Sequence, residues 1–359
     1  MKKPTRILTL TALAVASMMA FAGCSSAASA DTAGDPTDGT PATELRLGYF
    51  ANVTHAPALI GLQEGIFQKA LGDTTLTTQT FNAGPAAIEA LSAGAIDATF
   101  IGPNPSINTF IQSGGASARI VAGATTGGAA LVVRDGIGSP AALKGTTVAS
   151  PQLGNTQDVA LRSWLKEQGF TTDTTGGGDV HVTPTENAQT LTLFQQGQID
   201  GAWLPEPWVS RLVVDAGAKV LVDEADLWPG GAFPTTVLLV RKDYLDAHPQ
   251  TVAALVKGNL DAIGWIASHA DTAPAEINAK LTADTGKGLS DAVLTRALAH
   301  VTFSADPHAE TFQTLVDHGL EAGTQKKGSI EGLFDLRLLN GLLKDQGAPA
   351  VSSDGLGKE

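Results

Sequence analysis

Short β-rich runs alternate with stretches of helical periodicity from Glu44 onward. Residues 45–49 predict a strand, and apolar residues at helical spacing, with Pro57 in the first turn, predict a helix over about 56–67. Further strands are predicted at 76–81, 98–101, 120–124 and 130–133, with helices ending near Gly94 and Gly114. This order is typical of an α/β fold whose sheets are mainly parallel.

A turn-rich segment, 135–140, predicts the exit from a first lobe. Strands predicted at 146–149, 180–182 and 201–203 form a second α/β unit, and 234–240 predicts a strand that returns to the first. We therefore assign 44–134 plus 232–345 to lobe I, 135–231 to lobe II and 346–359 to a C-terminal tail. Two crossings between the lobes predict a hinge, and the carboxyl ends of both sheets predict a cleft that binds a ligand.

The N-terminus differs from the rest of the chain. A basic start precedes an apolar run over 7–21, which is shorter than a membrane-spanning helix, and small residues precede Cys24. Residues 1–23 therefore predict a signal peptide. Phe21-Ala22-Gly23-Cys24 resembles the bacterial lipobox, although Phe21 stands where Leu is usual; a plain signal peptide with an incidental cysteine is the alternative. Residues 24–43 are small and polar and predict a flexible tether, so we expect a body anchored by lipid outside the cytoplasm.

Composition excludes several classes of function. Of the 359 residues, 43% are hydrophobic and 16% are charged, which is typical of a folded α/β protein. The net charge of −13 disfavours a nucleic-acid partner. Cys24 is the only cysteine, which excludes disulfides and thiol catalysis. The seven histidines lack metal-ligand spacing, and neither a phosphate-binding loop nor a Gly-x-Ser-x-Gly motif is present. We expect no metal and no cofactor.

Several predicted helices begin directly after a strand with Gly, Asn, Thr or Pro at the junction: 52–57, 83–85, 102–104, 154–156 and 204–207. The first turn of such a helix has unpaired N–H groups and the positive end of the helix dipole. If these turns converge on one cleft, they form an anion site that needs no arginine. Such junctions are also common in doubly wound proteins where they bind no ligand. At each junction, a purely structural role is therefore the alternative.

Four side chains near these junctions are candidates with more than one role. Trp203 and Trp208 could wall an apolar pocket or could pack in the core. Glu206 could meet a cationic end of the ligand, could pair with Arg211 or Arg134, or could lie exposed at the surface. His55 could donate a hydrogen bond to an oxyanion as a neutral imidazole, or could be structural.

The chain resembles the solute-binding proteins of ABC importers in the nitrate, sulfonate and taurine group. The resemblance rests on segments 45–50, 90–97, 101–105, 143–149, 194–203 and 332–335 in that order. It implies a two-lobed periplasmic-binding fold of type II, capture of a small anion, and delivery to a membrane permease. The ligand contacts that it implies are Asn52, Thr54, His55, Gly102, Pro103, Asn104, Asn155, Thr156, Trp203 and Glu206, with Thr125 and Thr126 as weaker candidates.

The leading hypothesis is a monomeric, lipid-anchored receptor for an aliphatic sulfonate or a taurine-like aminosulfonate. Nitrate, bicarbonate and thiamine-precursor pyrimidines remain open as ligands within the same class. A pyrimidine synthase with this fold is the enzyme alternative, although it would be expected in the cytosol with reactive thiols. A sensory receptor that signals to a membrane kinase would bind its ligand in the same way.

Overall fold

The computed structural model describes residues 39–359. The predicted signal peptide, Cys24 and the predicted tether up to residue 38 lie outside the described residues. The last part of the predicted tether packs on the body, because the Ala42 N–H donates to Thr251 Oγ1 (2.8 Å) and the Ala42 carbonyl accepts from Thr74 Oγ1 (2.7 Å). The chain is therefore already folded before the predicted start at Glu44.

The first part of the chain alternates strands and helices, as the pattern predicts. Its elements are β1 (Glu44–Phe50), α1 (Ala56–Gln63), α2 (Ile66–Leu71), β2 (Thr75–Phe81), α3 (Gly84–Ser92), β3 (Ala98–Ile101), α4 (Pro103–Gln112) and β4 (Ala118–Gly127). The single helix predicted over 56–67 is two helices, because Gly65 adopts a left-handed conformation (φ 65°) between them. α1, α3 and α4 each have a proline in the first turn.

The chain then enters a second sheet. Its elements are β5 (Ala129–Val133), β6 (Thr147–Ser150), α5 (Thr156–Glu167), β7 (His181–Pro184), α6 (Asn187–Gln195), β8 (Gly201–Pro205), α7 (Trp208–Ala216) and β9 (Lys219–Asp223). The strand order is β7-β6-β8-β5-β9. β5 had been assigned to lobe I, but it lies in this sheet. The crossing is at Gly127 and Gly128, whose positive φ angles turn the backbone, and not at 135–140.

The chain returns to the first sheet through β10. The remaining elements are β10 (Pro234–Arg241), α8 (Lys242–Ala247), α9 (Pro249–Ser268), α10 (Ala273–Thr285), α11 (Asp291–Ala299), β11 (Val301–Phe303), α12 (Phe312–Glu321), β12 (Phe334–Asp335), α13 (Arg337–Asp345) and β13 (Gly357–Lys358). The order is β13-β12-β4-β10-β3-β1-β2, with β11 also on β4. β13 pairs with β12, so the predicted C-terminal tail ends as a strand of lobe I.

Both sheets are mixed. β1 runs parallel to β2 and β3, and β6 runs parallel to β7 and β8, whereas β10 and β5 are antiparallel to their neighbours. Each lobe has its own core, and the second sheet buries apolar side chains on both faces. None of the helices within residues 39–359 combines the length and apolar character needed to cross a bilayer. The α/β, two-lobed prediction is confirmed in outline, and the parallel strands end at the gap between the lobes.

Candidate functional site

A small cavity lies between the two lobes, where these strands end. We call it the inner cavity; its volume is about 20 Å³, and it is lined by Phe50, Asn52, Thr54, His55, Asn82, Gly102 and Thr235 from lobe I and by Asn155, Thr156, Gln157, Asn187 and Pro205 from lobe II. A water molecule needs about 10–15 Å³ of such space. Among the described residues, the lining contains no Asp, Glu, Lys or Arg, so the inner cavity carries no formal charge.

Six of the predicted contact residues line this cavity. They are Asn52, Thr54, His55, Gly102, Asn155 and Thr156, and they come from three of the predicted strand-to-helix junctions. Thr156 begins α5 with Asn155 as its N-cap, and Gly102 is the N-cap of α4. The convergence of these junctions follows from the sheets, because parallel strands place their carboxyl ends at one edge.

A larger cavity adjoins the inner one and opens between the same lobes. We call it the outer cavity; its volume is about 330 Å³, and it is lined by Ala51, Asn52, Thr80, Phe81, Asn82, Glu186, Asn187, Ala188, Pro207, Trp208, Arg211, Leu281, Asp284, Thr285, Lys287 and Leu289. Asn52, Asn82 and Asn187 line both cavities. The described lining of the outer cavity contains charged groups of both signs, which that of the inner cavity lacks.

His55 is a neutral hydrogen-bond donor at the inner cavity. Its ring is buried and stacks on Phe50 with 4.4 Å between the ring centroids, and burial lowers the pKa of His55 to about 3. The Phe50 N–H donates to Nδ1 (3.3 Å), so this hydrogen bond assigns the proton of the imidazole to Nε2. A neutral imidazole with a protonated Nε2 can donate to an anion without carrying charge.

A buried ion pair fixes the start of α5. Arg162 Nε lies 3.0 Å from Asp158 Oδ1, and both side chains are fully buried. The Asp158 carboxylate also accepts from Ser150 Oγ (2.6 Å) and from the Gly154 N–H (2.9 Å). These bonds tie the end of β6 and the following loop to the first turn of α5, and they thereby position Asn155 and Thr156. Because Arg162 neutralises Asp158, the pair adds no net charge beside the inner cavity.

Two polar side-chain atoms of the inner-cavity residues have no hydrogen-bond partner among the described residues. They are Thr156 Oγ1 and Asn187 Oδ1, and both are buried. A buried polar group without a partner costs about 1–3 kcal/mol, so these atoms favour a guest that can bond to them. Gly102 permits the approach of the lobes here, since a Cβ at this position would lie 2.3 Å from Thr156 Oγ1.

Hydrogen bonds, most of them between side chains, hold the two lobes against each other around the cavities. Trp208 Nε1 donates to Asn52 Oδ1 (2.9 Å), and the Gly84 N–H donates to Asn155 Oδ1 (3.1 Å). Asn82 Nδ2 donates to Glu186 Oε1 (3.3 Å) at the boundary between the cavities. The structure is thus a closed arrangement of the lobes, and Trp208 walls the outer cavity.

Glu206 does not line either cavity and does not pair with Arg211 or Arg134. Its carboxylate accepts from Arg296 of α11 (2.9 Å) and from the Ser210 N–H (3.0 Å). The side chain is buried, and this burial raises the pKa of Glu206 above its usual value. The carboxylate therefore belongs to an ion pair between the lobes. The contact of Glu206 with the ligand stays a prediction, and such a contact would compete with the bond from Arg296.

Four other predicted contacts also lie away from the cavities. Trp203 is fully buried in the core of lobe II, because side chains alternate along β8 and its ring points to the face that packs on Trp164. Asn104 Nδ2 donates to the Leu315 carbonyl of α12 (3.2 Å). Pro103 is buried in the first turn of α4, and Thr125 is buried on β4. None of these four residues lines the inner or the outer cavity.

The sequence reasoning missed Asn82, Asn187, Gln157 and Thr235 in the lining of the inner cavity. Asn82 follows β2 directly and Asn187 is the first residue of α6, so both stand at the type of junction that was used to choose the other candidates. Gln157 follows Thr156 in the first turn of α5. Thr235 lies at the start of β10, and only the antiparallel return of the chain brings it to the cleft.

Comparison with known proteins agrees with this architecture. The chain is 29% identical over 206 residues to the taurine-binding periplasmic protein of Escherichia coli K12, a match that covers 57% of this chain and 62% of that protein. The chain thus spans about three fifths of the length of the curated relatives it matches.

Two solved structures have the same fold. The alkanesulfonate-binding protein SsuA from Xanthomonas axonopodis pv. citri bound to MOPS is 23% identical with a TM-score of 0.66, and the match covers 80% of this chain and 96% of that one. The periplasmic nitrate-binding protein NrtA from Synechocystis PCC 6803 is 17% identical with a TM-score of 0.67, covering 79% and 82%. These likenesses confirm the periplasmic-binding-protein fold.

A family model matches residues 38–283, which is more than half of the chain and includes the inner cavity and both crossings between the lobes. The chain belongs to the NMT1-like family.

Proposed function

We propose that this protein is an extracytoplasmic solute-binding receptor of an ABC importer. Its ligand would be a small organic anion, an aliphatic sulfonate or a taurine-like aminosulfonate, held between the closing lobes. Membership of the NMT1-like family and the similarity to a taurine-binding periplasmic protein support the class of function. The ligand class depends on the inner cavity.

The observation that carries the ligand class is an uncharged lining rich in hydrogen-bond donors. Sulfonate oxygens accept hydrogen bonds, and the hydroxyl of Thr156, the amides of Asn52 and Gln157 and the Nε2–H of His55 would supply donors from both lobes. The first turn of α5 adds N–H groups and the positive end of its dipole. Such a site would stabilise a delocalised anion without a basic side chain.

The boundary between the cavities favours a zwitterion over a simple inorganic anion. Glu186 lines the outer cavity and contacts Asn82, which lines both cavities. A ligand with its sulfonate in the inner cavity would direct its other end toward this carboxylate, where an ammonium group would be stabilised. Longer carbon chains would extend along Trp208 and Phe81 in the outer cavity.

The space of the inner cavity sets a condition on binding. About 20 Å³ admits a water molecule but not a sulfonate group. The ligand would therefore displace water and hold the lobes further apart than they lie here. This condition agrees with a receptor that opens and closes about its two crossings.

A thermal-unfolding screen tests the ligand class. The purified body would be heated with taurine, alkanesulfonates, sulfate, nitrate, bicarbonate and a thiamine-precursor pyrimidine. A ligand at one hundred times its Kd stabilises the folded state by about 2.7 kcal/mol. Stabilisation by taurine or an alkanesulfonate supports the proposal, a response to nitrate, bicarbonate or the pyrimidine alone redirects it, and no response to any compound removes the ligand class.

A receptor releases its ligand unchanged, which separates it from the pyrimidine-synthase alternative. We expect taurine to give the same proton spectrum after long incubation with the protein, without cofactor, and to be recovered quantitatively. Conversion of the ligand would contradict the proposal.

The proposal also includes a permease as partner. Mild cross-linking in intact cells should therefore recover the monomeric receptor together with a membrane protein.

Lipid attachment at Cys24 is part of the same proposal. Metabolic labelling with a palmitate analogue should mark the wild-type protein, and the protein should partition into detergent. The C24S variant should lose both properties while the body keeps its ligand affinity. Labelling that persists in this variant would contradict the anchor and leave the receptor function untouched.

A further inference from the structure

A third cavity between the lobes has a chemistry different from that of the inner and outer cavities. We call it the hinge cavity; its volume is about 170 Å³, and its lining includes Trp164, Glu167, Glu224, Trp228, Thr314 and His318. These residues come from α5 of lobe II, from the segment that connects β9 to β10, and from α12 of lobe I. A cavity of about 150 Å³ in another protein holds benzene, so the hinge cavity has room for a small organic molecule.

Aromatic rings form a large part of the walls. Trp228 stacks on Phe233, with 6.0 Å between centroids, and meets the ring of His318 edge-on at 5.8 Å. Trp164 approaches from α5, where Glu167 follows it by one turn on the same face. Burial lowers the pKa of His318, so at neutral pH its ring contributes aromatic surface rather than positive charge.

The charged groups of the hinge cavity are carboxylates. Glu224 is buried, and its Oε2 accepts from Trp203 Nε1 (2.7 Å). Glu167 lies at the rim, 3.9 Å from His318 Nε2. Among residues 39–359, no lysine or arginine lines this cavity or forms a described ion pair with Glu224. A buried carboxylate without a cation is costly even with hydrogen bonds from the Trp203 and Trp228 side chains, and burial raises the pKa of Glu224 to about 7.

We propose that the hinge cavity binds a small organic ammonium cation, with its charge between the Trp164 and Trp228 rings and the Glu224 carboxylate. Indole rings attract cations through the negative face of their π-system, and a nearby carboxylate adds a direct electrostatic attraction. An anion would be repelled by Glu224 and Glu167. This inference does not depend on the ligand proposed for the inner cavity.

The position of the hinge cavity connects it to the movement of the lobes. Trp164 belongs to lobe II, His318 belongs to lobe I, and Trp228 lies in one of the two crossings. α5 contributes to both cavities, with Thr156 at its start and Trp164 two turns further on. A cation in the hinge cavity contacts both lobes, so it binds one arrangement of the lobes better than another and shifts their equilibrium.

Calorimetric titration of the whole protein with choline tests the proposal. 3,3-Dimethylbutan-1-ol, which replaces the charged nitrogen of choline by carbon, serves as the uncharged control. The titrations are made at about pH 8, where Glu224 is ionised. Sodium chloride keeps the ionic strength constant. We expect saturable binding of choline at least about ten-fold tighter than that of the alcohol, as a cation–π and carboxylate site requires.

The NMR signals of the indole N–H groups show where choline binds. The chain has five tryptophans, and Trp208 walls the outer cavity whereas Trp164 and Trp228 line the hinge cavity. Choline should shift the Trp164 and Trp228 signals and taurine should shift that of Trp208. A choline-induced shift of Trp208 alone would place the cation in the cleft and overturn the proposal.

E224Q should weaken choline binding about ten-fold, because it removes the charge and keeps an oxygen for Trp203. D226N is the matched control, since Asp226 is exposed in the same segment and does not line the cavity. It should change the affinity less than about two-fold. Both variants should keep the wild-type response to taurine. Absence of saturable choline binding, equal affinity for the alcohol, or an equal effect of the two substitutions would each overturn the proposal.

Discussion

The two ends of α5 face cavities of opposite character. Its first turn presents Thr156 and Gln157 to the inner cavity, whose described lining is uncharged and carries hydroxyl, amide and imidazole groups. Further along, Trp164 and Glu167 face the hinge cavity, where rings and carboxylates predominate. Both cavities lie between the same two lobes. A few local side chains and the polarity of a helix end therefore give the two cavities their different electrostatic character.

The overall charge of the chain does not predict this selection. A net charge of −13 would favour cations everywhere if it acted uniformly. The inner cavity escapes this because Asp158, the acid nearest to it on α5, is neutralised by Arg162 in a buried pair. In the hinge cavity, Glu224 has no such partner among residues 39–359. Four substitutions test this contrast.

The largest expected effect is on the stability of the fold, through the buried ion pair of α5, the helix that lines both cavities. R162M leaves Asp158 buried without its cation, which should lower the free energy of unfolding by about 3–5 kcal/mol. The control K242M breaks the exposed pair with Asp246 and should cost less than about 1 kcal/mol. Urea denaturation measures both. Similar losses in the two variants would show that the buried pair does not support α5 as described.

The next effect concerns the pH dependence of stability. Since the folded-state pKa of Glu224 is raised to about 7, the folded state binds its proton more tightly than the unfolded state. This contribution is present below the unfolded pKa and is lost as pH rises toward and through about 7. Relative to E224Q, the wild type should lose roughly 3 kcal/mol between about pH 4 and pH 8. Denaturation of both proteins across this range measures the difference, and parallel profiles would contradict it.

A third effect tests whether the lobes must approach at the inner cavity. G102A places a methyl group against Thr156 across the cleft, although the backbone of Gly102 (φ −70°) accepts alanine. Overpacking of about 1–3 kcal/mol should lower the free energy of unfolding of the ligand-free protein, in which the lobes lie closer together than with taurine bound. G138A is the control, because Gly138 is exposed with open space around it. Urea denaturation that shows equal stability of G102A and the wild type would oppose this role of the glycine.

The smallest effect tests a single donor. T156V keeps the shape of the side chain and removes the Oγ1 hydroxyl, so taurine affinity should fall about ten-fold. T156S keeps the hydroxyl and should retain most of the affinity. Neither variant should alter choline binding at the other end of α5. A loss that is equal in T156V and T156S would indicate packing rather than hydrogen bonding.

Much of the architecture could be predicted from local pattern. Alternating strands and helices, prolines in first turns and glycines after helices located most elements, and the junction rule found Asn52, His55, Gly102, Asn155 and Thr156. The same rule, applied without selection, would have added Asn82 and Asn187. Asn104 also stands at such a junction, but its side chain donates to a carbonyl of α12 and lines neither cavity, which the rule does not foresee.

Local propensity and residue type were sufficient to predict the α/β class and the two crossings between the lobes. The surroundings of Trp203, Glu206 and Glu224 depend instead on contacts between distant parts of the chain. Trp203 lies on a face of β8 that the second sheet buries, and Glu206 meets an arginine ninety positions away. Partners so distant in the chain are set by packing of the lobes, which no local pattern records.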